Sequence, residues 1–253
     1  MNGLSITNIT VRYGGLTAVS DVSLDAPRGA ITGLIGPNGA GKTTIFNACS
    51  GLAAADGRVC LDSVDLSHLS PAGRARKGLG RTFQRMELFD DLTVAENVAL
   101  GREAGLAGRS VVGQLMCRAG ERSEVRDAAD AAIARCGLAG LARREAGALS
   151  TGQRRLVELA RALAGRFTML LLDEPSSGLD RAETETFGEI LAGVLAEREV
   201  GMLLVEHDMA LVMGVCRYLY VLDFGQLIFQ GTPAEVQSSD EVRAAYLGTE
   251  AAA

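Results

Sequence analysis

Gly36-Pro37-Asn38-Gly39-Ala40-Gly41-Lys42-Thr43 follows an apolar run, Ile31 to Ile35 broken by Gly33, and opens a helical run from Lys42 to about Cys49. A Gly-x-x-x-x-Gly-Lys-Thr pattern between a strand and a helix reads as a phosphate-binding loop. At a helix N-terminus the backbone N–H groups point at the ligand and the helix dipole favours negative charge. Gly36, Gly39 and Gly41 lack side chains, so the main chain can wrap an oxyanion closely. Lys42 is expected to reach the β- and γ-phosphates, and the Thr43 hydroxyl to ligate Mg²⁺. The loop and the next residue, Gly36, Pro37, Asn38, Gly39, Ala40, Gly41, Lys42, Thr43 and Thr44, are the first candidate nucleotide contacts.

The rest of the chain supplies a scaffold for such a loop. At 253 residues and 47% hydrophobic composition it can bury a large core. Leu4, Ile6, Ile9 and Val11 give a broken alternation and Val19 to Leu24 another, which predicts antiparallel strands near the start. Arg58–Leu61 reads as a strand ending at a turn on Asp62, Pro71–Lys77 as a short basic helix, and Leu79–Phe83 as a strand. Residues 101–123 are rich in Gly, Arg and Ala with weak periodicity and read as a loop or short helices. Ser123–Cys136 carries Val125, Ala129, Ala132, Ile133 and Cys136 on one helical face. Thr151–Ala164 repeats the pattern with Leu156, Leu159, Ala160 and Leu163. Met169–Leu172 is an unbroken apolar run, as in a buried parallel strand. A helix over Arg181–Ala196, a strand over Met202–Val205 and a helix over Met209–Cys216 continue the alternation. Tyr218–Asp223 and Gln226–Phe229 flank Phe224-Gly225 as a hairpin, and helical segments near Glu235 and Glu241–Leu247 follow. The expectation is an α/β core with a mostly parallel sheet, residues 1–87 and 166–253, carrying a smaller helical lobe over about 88–165.

Composition excludes several classes. A net charge of −6 argues against a nucleic-acid partner, and the absence of Trp argues against base-stacking platforms. The five cysteines, Cys49, Cys60, Cys117, Cys136 and Cys216, are widely spaced with no Cys-x-x-Cys. They read as small buried hydrophobes in a reducing compartment. No apolar run reaches the 18 residues a span requires, and Met1–Tyr13 lacks the features of a signal peptide. The chain is therefore expected to be cytoplasmic, reaching a membrane only through partners.

Two further segments carry chemistry. Asp173 ends the apolar run and is placed to hold Mg²⁺, usually through water. Glu174 is expected to point elsewhere, because side chains alternate at a strand end, and is the best candidate to polarise an attacking water. Leu149-Ser150-Thr151-Gly152-Gln153 precedes the helix that carries Arg161-Ala162-Leu163. Ser150 or Thr151 can cap that helix, and Gly152 permits close backbone approach, which makes a second phosphate-recognition point.

That last segment resembles the Leu-Ser-Gly-Gly-Gln signature of ATP-binding-cassette (ABC) ATPases, with Thr151 in place of the first Gly, and the resemblance extends over nearly the whole chain. Residues 36–43 are similar to the family's Walker A loop and 169–174 to its Walker B strand. Gln84, in Arg81-Thr82-Phe83-Gln84, matches the glutamine that touches Mg²⁺ and the membrane partner. Ser177-Gly178-Leu179-Asp180 resembles the D-loop, with Gly178 where Ala is more usual. His207 matches the histidine that contacts the γ-phosphate. Tyr13 falls where the family stacks an aromatic on adenine, an ordinary strand aromatic being the alternative. The resemblance implies a P-loop NTPase fold with an N-terminal antiparallel subdomain, ATP and Mg²⁺ as ligands, and two chains meeting head to tail. Ser150, Gly152, Gln153 and Asp180 would then serve a nucleotide shared with a second ATPase subunit, the same chain or a related one.

Finer motifs narrow the resemblance. Gly80–Gln84, Leu92–Val98, Val205–Met209 and Ala245–Gly248 are similar to the ATP-binding subunits of branched-chain amino-acid importers. Urea and short-amide importers share much of this pattern, and the ATPase of the lipopolysaccharide exporter shares the Tyr-Leu-Gly ending. The implied partners are two membrane-spanning permeases and, indirectly, an extracytoplasmic solute-binding protein, with this chain on the inner face of the membrane. Met86–Phe89 is the expected docking groove, ordinary lobe packing being the alternative. A soluble ABC ATPase would carry tandem cassettes, a coiled coil or a basic arm, and a GTPase an Asn-Lys-x-Asp guanine reader; neither pattern is found.

Overall fold

The computed structural model describes residues 2–106, 119–197 and 199–250. Cys117 and the middle of the 101–123 stretch lie outside the described residues. The chain forms two compact units: the first comprises residues 1–81, 168–174 and 195–253, the second residues 82–167 and 175–194.

The first unit opens with β1 (Gly3–Tyr13) and β2 (Leu16–Pro27), paired antiparallel. The alternation of β1 is broken because the register shifts between Ile6 and Ile9, where Asn8 takes φ 52°. The extra residue keeps Leu4, Ile6, Ile9 and Val11 all buried. With β4 (Asp56–Leu61) and β5 (Val64–Asp65) these strands form a four-stranded antiparallel sheet in the order β2-β1-β4-β5. Asp62 and Ser63, both at positive φ, turn the chain between β4 and β5.

The second sheet of this unit runs β10-β9-β3-β8-β7-β6. Its members are β3 (Ile31–Ile35), β6 (Leu79–Arg81), β7 (Met169–Asp173), β8 (Gly201–Val205), β9 (Tyr218–Asp223) and β10 (Gln226–Gly231). All pairings are parallel except β9 with β10. Every residue of β3, β7 and β8 is buried, which explains the apolar runs Met169–Leu172 and Met202–Val205 and the mostly apolar β3. One apolar cluster joins both sheets to α1 (Lys42–Ser50) through Ile45, Phe46, Ala48 and Cys49. β6 stops two residues short of the strand expected over Leu79–Phe83.

The helix expected over Pro71–Lys77 forms as α2 (Pro71–Arg76), capped by Ser70. It does not present a purely basic surface. Arg74 is buried, and its Nη1 donates to the carbonyls of Ala48 (2.6 Å) and Cys49 (2.7 Å) at the end of α1. It thereby satisfies carbonyls that a helix end leaves open. Burial pushes the Cys49, Cys136 and Cys216 thiols up to about 12, which makes these cysteines inert packing groups.

The second unit is helical. It contains α3 (Val94–Leu106), α4 (Ala119–Arg135), α5 (Thr151–Ala164) and most of α6 (Arg181–Glu197). Val125, Ala129, Ala132, Ile133 and Cys136 are all buried, as their spacing predicts. At Gly101 a Cβ would overlap the Arg161 carbonyl, so α3 and α5 approach closely only because that position is glycine. α5 departs from its expected face. Leu156 is only half-buried, while Arg155 and Glu158 are buried in its place. The chain ends in the first unit with α7 (Met209–Val215), α8 (Pro233–Ser238) and α9 (Asp240–Glu250).

The β9–β10 hairpin closes on Phe224 and Gly225 at φ 41° and 77°, a turn with both central residues left-handed. Asn, Asp or Gly is preferred at the first of these positions, and a side chain such as Phe costs roughly 1–2 kcal/mol there. Phe224 is also 87% exposed. Phe224→Asn is therefore expected to stabilise the fold by about 1 kcal/mol, read as a rise of about 2–4 °C in Tm for a chain of this size. An unchanged or lower Tm would show that the ring makes compensating contacts.

Candidate functional site

The phosphate-binding loop leaves the C-terminal end of β3, in the middle of the parallel strands. In such sheets ligands bind beyond the carboxyl ends of the strands. The two strands next in order on one side, β8 and β7, end at Val205 and Asp173. Three adjacent strand ends thus bring together the loop, His207, and Asp173 with Glu174.

The main chain of the loop can fold this way only with its glycines. A Cβ at Gly36 would overlap the Leu222 carbonyl on β9, and Gly41 starts α1 at φ 100°. Among the described residues no side chain caps α1. Its first N–H groups and the positive end of its dipole therefore face whatever anion sits in the loop. Gly36→Ala is expected to be worse than an ordinary Gly→Ala change, because the overlapping atom is backbone. Nucleotide affinity should fall by about tenfold or more while the second unit keeps its structure. Isothermal titration with ADP checks this, and wild-type affinity would contradict the fit.

Lys42 is 7% exposed and turned into the loop. Its Nζ donates to the carbonyls of Gly36 (2.6 Å) and Pro37 (2.9 Å). Burial lowers its pKa, and the nearby carboxylates of Glu174 and Asp173 pull it back up. Thr43, Asn38 and Gly39 are exposed, Thr44 is half-buried, and Pro37 and Ala40 are buried.

Asp173 is 2% exposed and pairs with Arg81, whose Nη2 donates to its Oδ2 at 3.0 Å. Arg81 also bonds Asn47 Oδ1 (2.8 Å) and Ser50 Oγ (3.1 Å) and lies over the Phe46 ring at 5.6 Å. Burial raises the Asp173 pKa, with Arg81 the main opposing influence. No cluster of three or more His, Cys, Asp or Glu able to hold a metal occurs among the described residues. The exposed Thr43 hydroxyl and the Asp173 carboxylate are hard oxygen donors too few for a protein cage. They fit a Mg²⁺ that takes most of its ligands from phosphate and water.

Glu174 has partners other than those of Asp173. The strand has ended, and Glu174 stands in the left-handed region at φ 46°, its N–H bonded to the Val205 carbonyl at 2.9 Å. Its carboxylate comes within 4.0 Å of His207 Nδ1. His207 is largely exposed, and Asp208 caps the helix beyond it by accepting from Leu211 N–H. Between strand and histidine lies Glu206, fully buried, whose Oε2 accepts from the His207 N–H at 3.2 Å. Sequence reasoning missed Glu206 and Arg81. A charge flush against a buried strand or motif was the available signal. Tyr13 ends β1 in the same unit and is 51% exposed, so its ring is accessible for stacking.

The remaining expected residues belong to the second unit. Ser150 caps α5: its Oγ accepts from Gln153 N–H, and Gln153 Oε1 accepts from Ser150 N–H, both at 3.2 Å. The close neighbour of Gly152 is the Glu183 carboxylate, which a Cβ would overlap. Glu183 in turn closes a reciprocal cap with Asp180, accepting from its N–H (3.0 Å) while Asp180 Oδ1 accepts from Glu183 N–H (2.8 Å). The start of α5 and the Asp180 turn are thus interlocked. Gln84 and Phe89 are exposed. The backbone beneath Phe89 is clamped by buried Asn97, which both accepts from its N–H and donates to its carbonyl at 3.0 Å.

Comparison with known proteins adds two family matches. Residues 19–177 match the model described as ABC transporter, and residues 226–252 match the model described as branched-chain amino acid ATP-binding cassette transporter. The chain is 37% identical over 249 residues to the high-affinity branched-chain amino acid transport ATP-binding protein BraF of Pseudomonas aeruginosa, covering 97% of both chains. It is 39% identical over 248 residues to LivG of Salmonella typhimurium, a protein of the same description, again covering 97% of both. The crystal structure of the ADP conformation of MJ1267, an ATP-binding cassette of an ABC transporter, superposes with a TM-score of 0.85 at 32% identity, covering 98% of this chain and 99% of that one.

Proposed function

The chain belongs to the ABC transporter family, and from that premise we propose that it is the ATP-hydrolysing subunit of a membrane importer for branched-chain amino acids. The observation that carries the catalytic part is the convergence of Lys42, Asp173, Glu174 and His207 at three adjacent strand ends. The names of BraF and LivG, together with the match over residues 226–252, support the substrate class.

In this reading the N–H groups of Gly36–Thr44 and the Lys42 ammonium bind the ATP phosphates, and Tyr13 stacks on the adenine. Thr43, Asp173 and Gln84 would hold Mg²⁺, whose chemistry there would be to neutralise phosphate charge during transfer of the γ-phosphoryl group from ATP to water. Glu174 orients that water and accepts its proton, and His207 contacts the γ-phosphate. Ser150, Gly152, Gln153 and Asp180 act on a nucleotide shared with a second ATPase subunit. The trapped γ-phosphate draws the two chains together and its loss releases them, a population shift driven by differential contacts.

Among the described residues no helix is long and apolar enough to cross a membrane. We assign the membrane work to two permease subunits, with this chain on the inner face and a solute-binding protein delivering substrate outside. The exposed Phe89 ring on its clamped backbone supports Met86–Phe89 as the docking segment for a permease helix. We propose that residues 1–87 and 166–253 act as the ATPase core and about 88–165 as its helical lobe.

Deleting the gene should abolish high-affinity uptake of radiolabelled leucine, and wild-type copies should restore it. Unchanged leucine uptake with lost urea uptake would move the assignment to short amides. Ser150→Arg is expected to leave nucleotide affinity of the isolated chain within about twofold while preventing ATP-driven pairing, because Ser150 caps a helix in the unit that lacks the phosphate loop. Full hydrolysis by Ser150→Arg would remove Leu149–Gln153 from the site.

A further inference from the structure

The buried charges on α5 do something that its apolar spacing does not explain. Arg155 is 6% exposed and Glu158 4%. The Arg155 guanidinium addresses two separate segments and its own helix. Its Nη2 donates to the Gln84 carbonyl at 2.9 Å, its Nε to the Ser177 carbonyl at 3.2 Å, and its Nη1 to Glu158 Oε2 at 3.2 Å. Nearly two turns on from Arg155, Arg161 Nη1 donates to the Glu87 carbonyl at 2.6 Å, and Glu158 also accepts from the Glu87 backbone.

Burying an ion pair is seldom the most stabilising choice, since apolar residues of similar volume often do as well or better. What a guanidinium offers instead is a rigid fork of five donors. Here the fork is aimed at main-chain carbonyls, so it fixes where Gln84 and Ser177 lie whatever their side chains do. We propose that Arg155 is a positioning residue that couples the helix carrying Ser150 to the Gln84 segment and to the Ser177–Asp180 turn. A shift of α5 on engaging a partner's nucleotide would then drag the chain's own glutamine with it, and docking at Met86–Phe89 would be felt at Ser150 through the same bonds. This inference rests on the reading above that Gln84 and Ser150 act in hydrolysis.

The test is a double-mutant cycle on the purified full-length chain, using Gln84→Ala, Arg155→Met and both together, with Arg155→Lys as the conservative variant. Arg155→Met is expected to lower kcat about 10-fold to 100-fold and to leave KM for ATP within about twofold. Because Arg155 acts through Gln84 and the Ser177–Asp180 turn together, the double variant should be slower than Gln84→Ala alone by much less than the full Arg155→Met factor. Arg155→Lys, which keeps the charge but not the fork, should recover part of the rate. Multiplying effects in the double variant, or a KM change matching that in kcat, would overturn the coupling while leaving the catalytic reading intact. A wild-type kcat for Gln84→Ala would bring down that reading and the coupling with it. Amide hydrogen exchange on the free chain provides a second arm independent of turnover. In Arg155→Met, peptides spanning 84–87 and 177 should exchange faster, with peptides over 36–43 unchanged; unaltered exchange at 84–87 would refute the positioning role.

Discussion

Lys42→Ala is expected to bind Mg²⁺-ATP at least about 100-fold more weakly than the native chain and to show no measurable hydrolysis. Lys42 is buried in the loop, with two carbonyls as its hydrogen-bond acceptors. Charge-assisted hydrogen bonds of this kind contribute about 1.5–3 kcal/mol each. Removing the ammonium also removes a fixed positive charge from the side of the pocket that Asp173 and Glu174 make negative. Loss of a preorganised donor facing developing phosphoryl charge typically costs a further factor of about 10²–10³ in rate. Fluorescent-nucleotide titration and steady-state hydrolysis together check the prediction. Turnover within threefold of the native chain would mean that the phosphates are held elsewhere.

Glu174→Gln should separate binding from chemistry. The amide is nearly isosteric, and the left-handed backbone at 174 already tolerates a side chain. It cannot accept a proton from water, so hydrolysis should fall by about 10²–10⁴. Nucleotide affinity should hold or improve, because Glu174 is a like-charge neighbour of buried Asp173. With ATP bound and not consumed, the paired state should persist, visible as a doubled mass in light scattering. Normal turnover in Glu174→Gln would remove this residue from the proposed hydrolysis step and leave His207 and Gln84 to carry the role.

Most of the scaffold was legible in the sequence because its signals are local. Ile31–Ile35, Thr151–Ala164 and Met169–Asp173 declare themselves by composition and by the residues that cap them. The break in the β1 alternation was visible too, although the bulge at Asn8 that causes it was not. The misses have a common physical origin. Arg74, Arg81, Arg155 and Glu158 are charged residues that periodicity assigns to the surface. Each is buried because a partner distant in sequence satisfies it: the α1 carbonyls, Asp173, the Gln84 carbonyl and the Glu87 backbone. Glu174 was expected to point away from Asp173 by strand alternation, whereas it lies just past the strand as a left-handed residue to which that alternation does not apply. The glycine at 152 was read as an opening for ligand, while its immediate neighbour is Glu183.

We propose above all that each ATP is hydrolysed between the phosphate loop of one chain and Leu149–Gln153 of another. Mixing two inactive chains, Lys42→Ala and Ser150→Arg, tests it most directly. A mixed pair contains one pocket with both defects and one with neither, so ATPase activity should reappear on mixing and rise with the product of the two concentrations. If instead Ser150→Arg alone hydrolyses ATP at the native rate and mixing adds nothing, each chain owns a complete pocket and the claim is wrong.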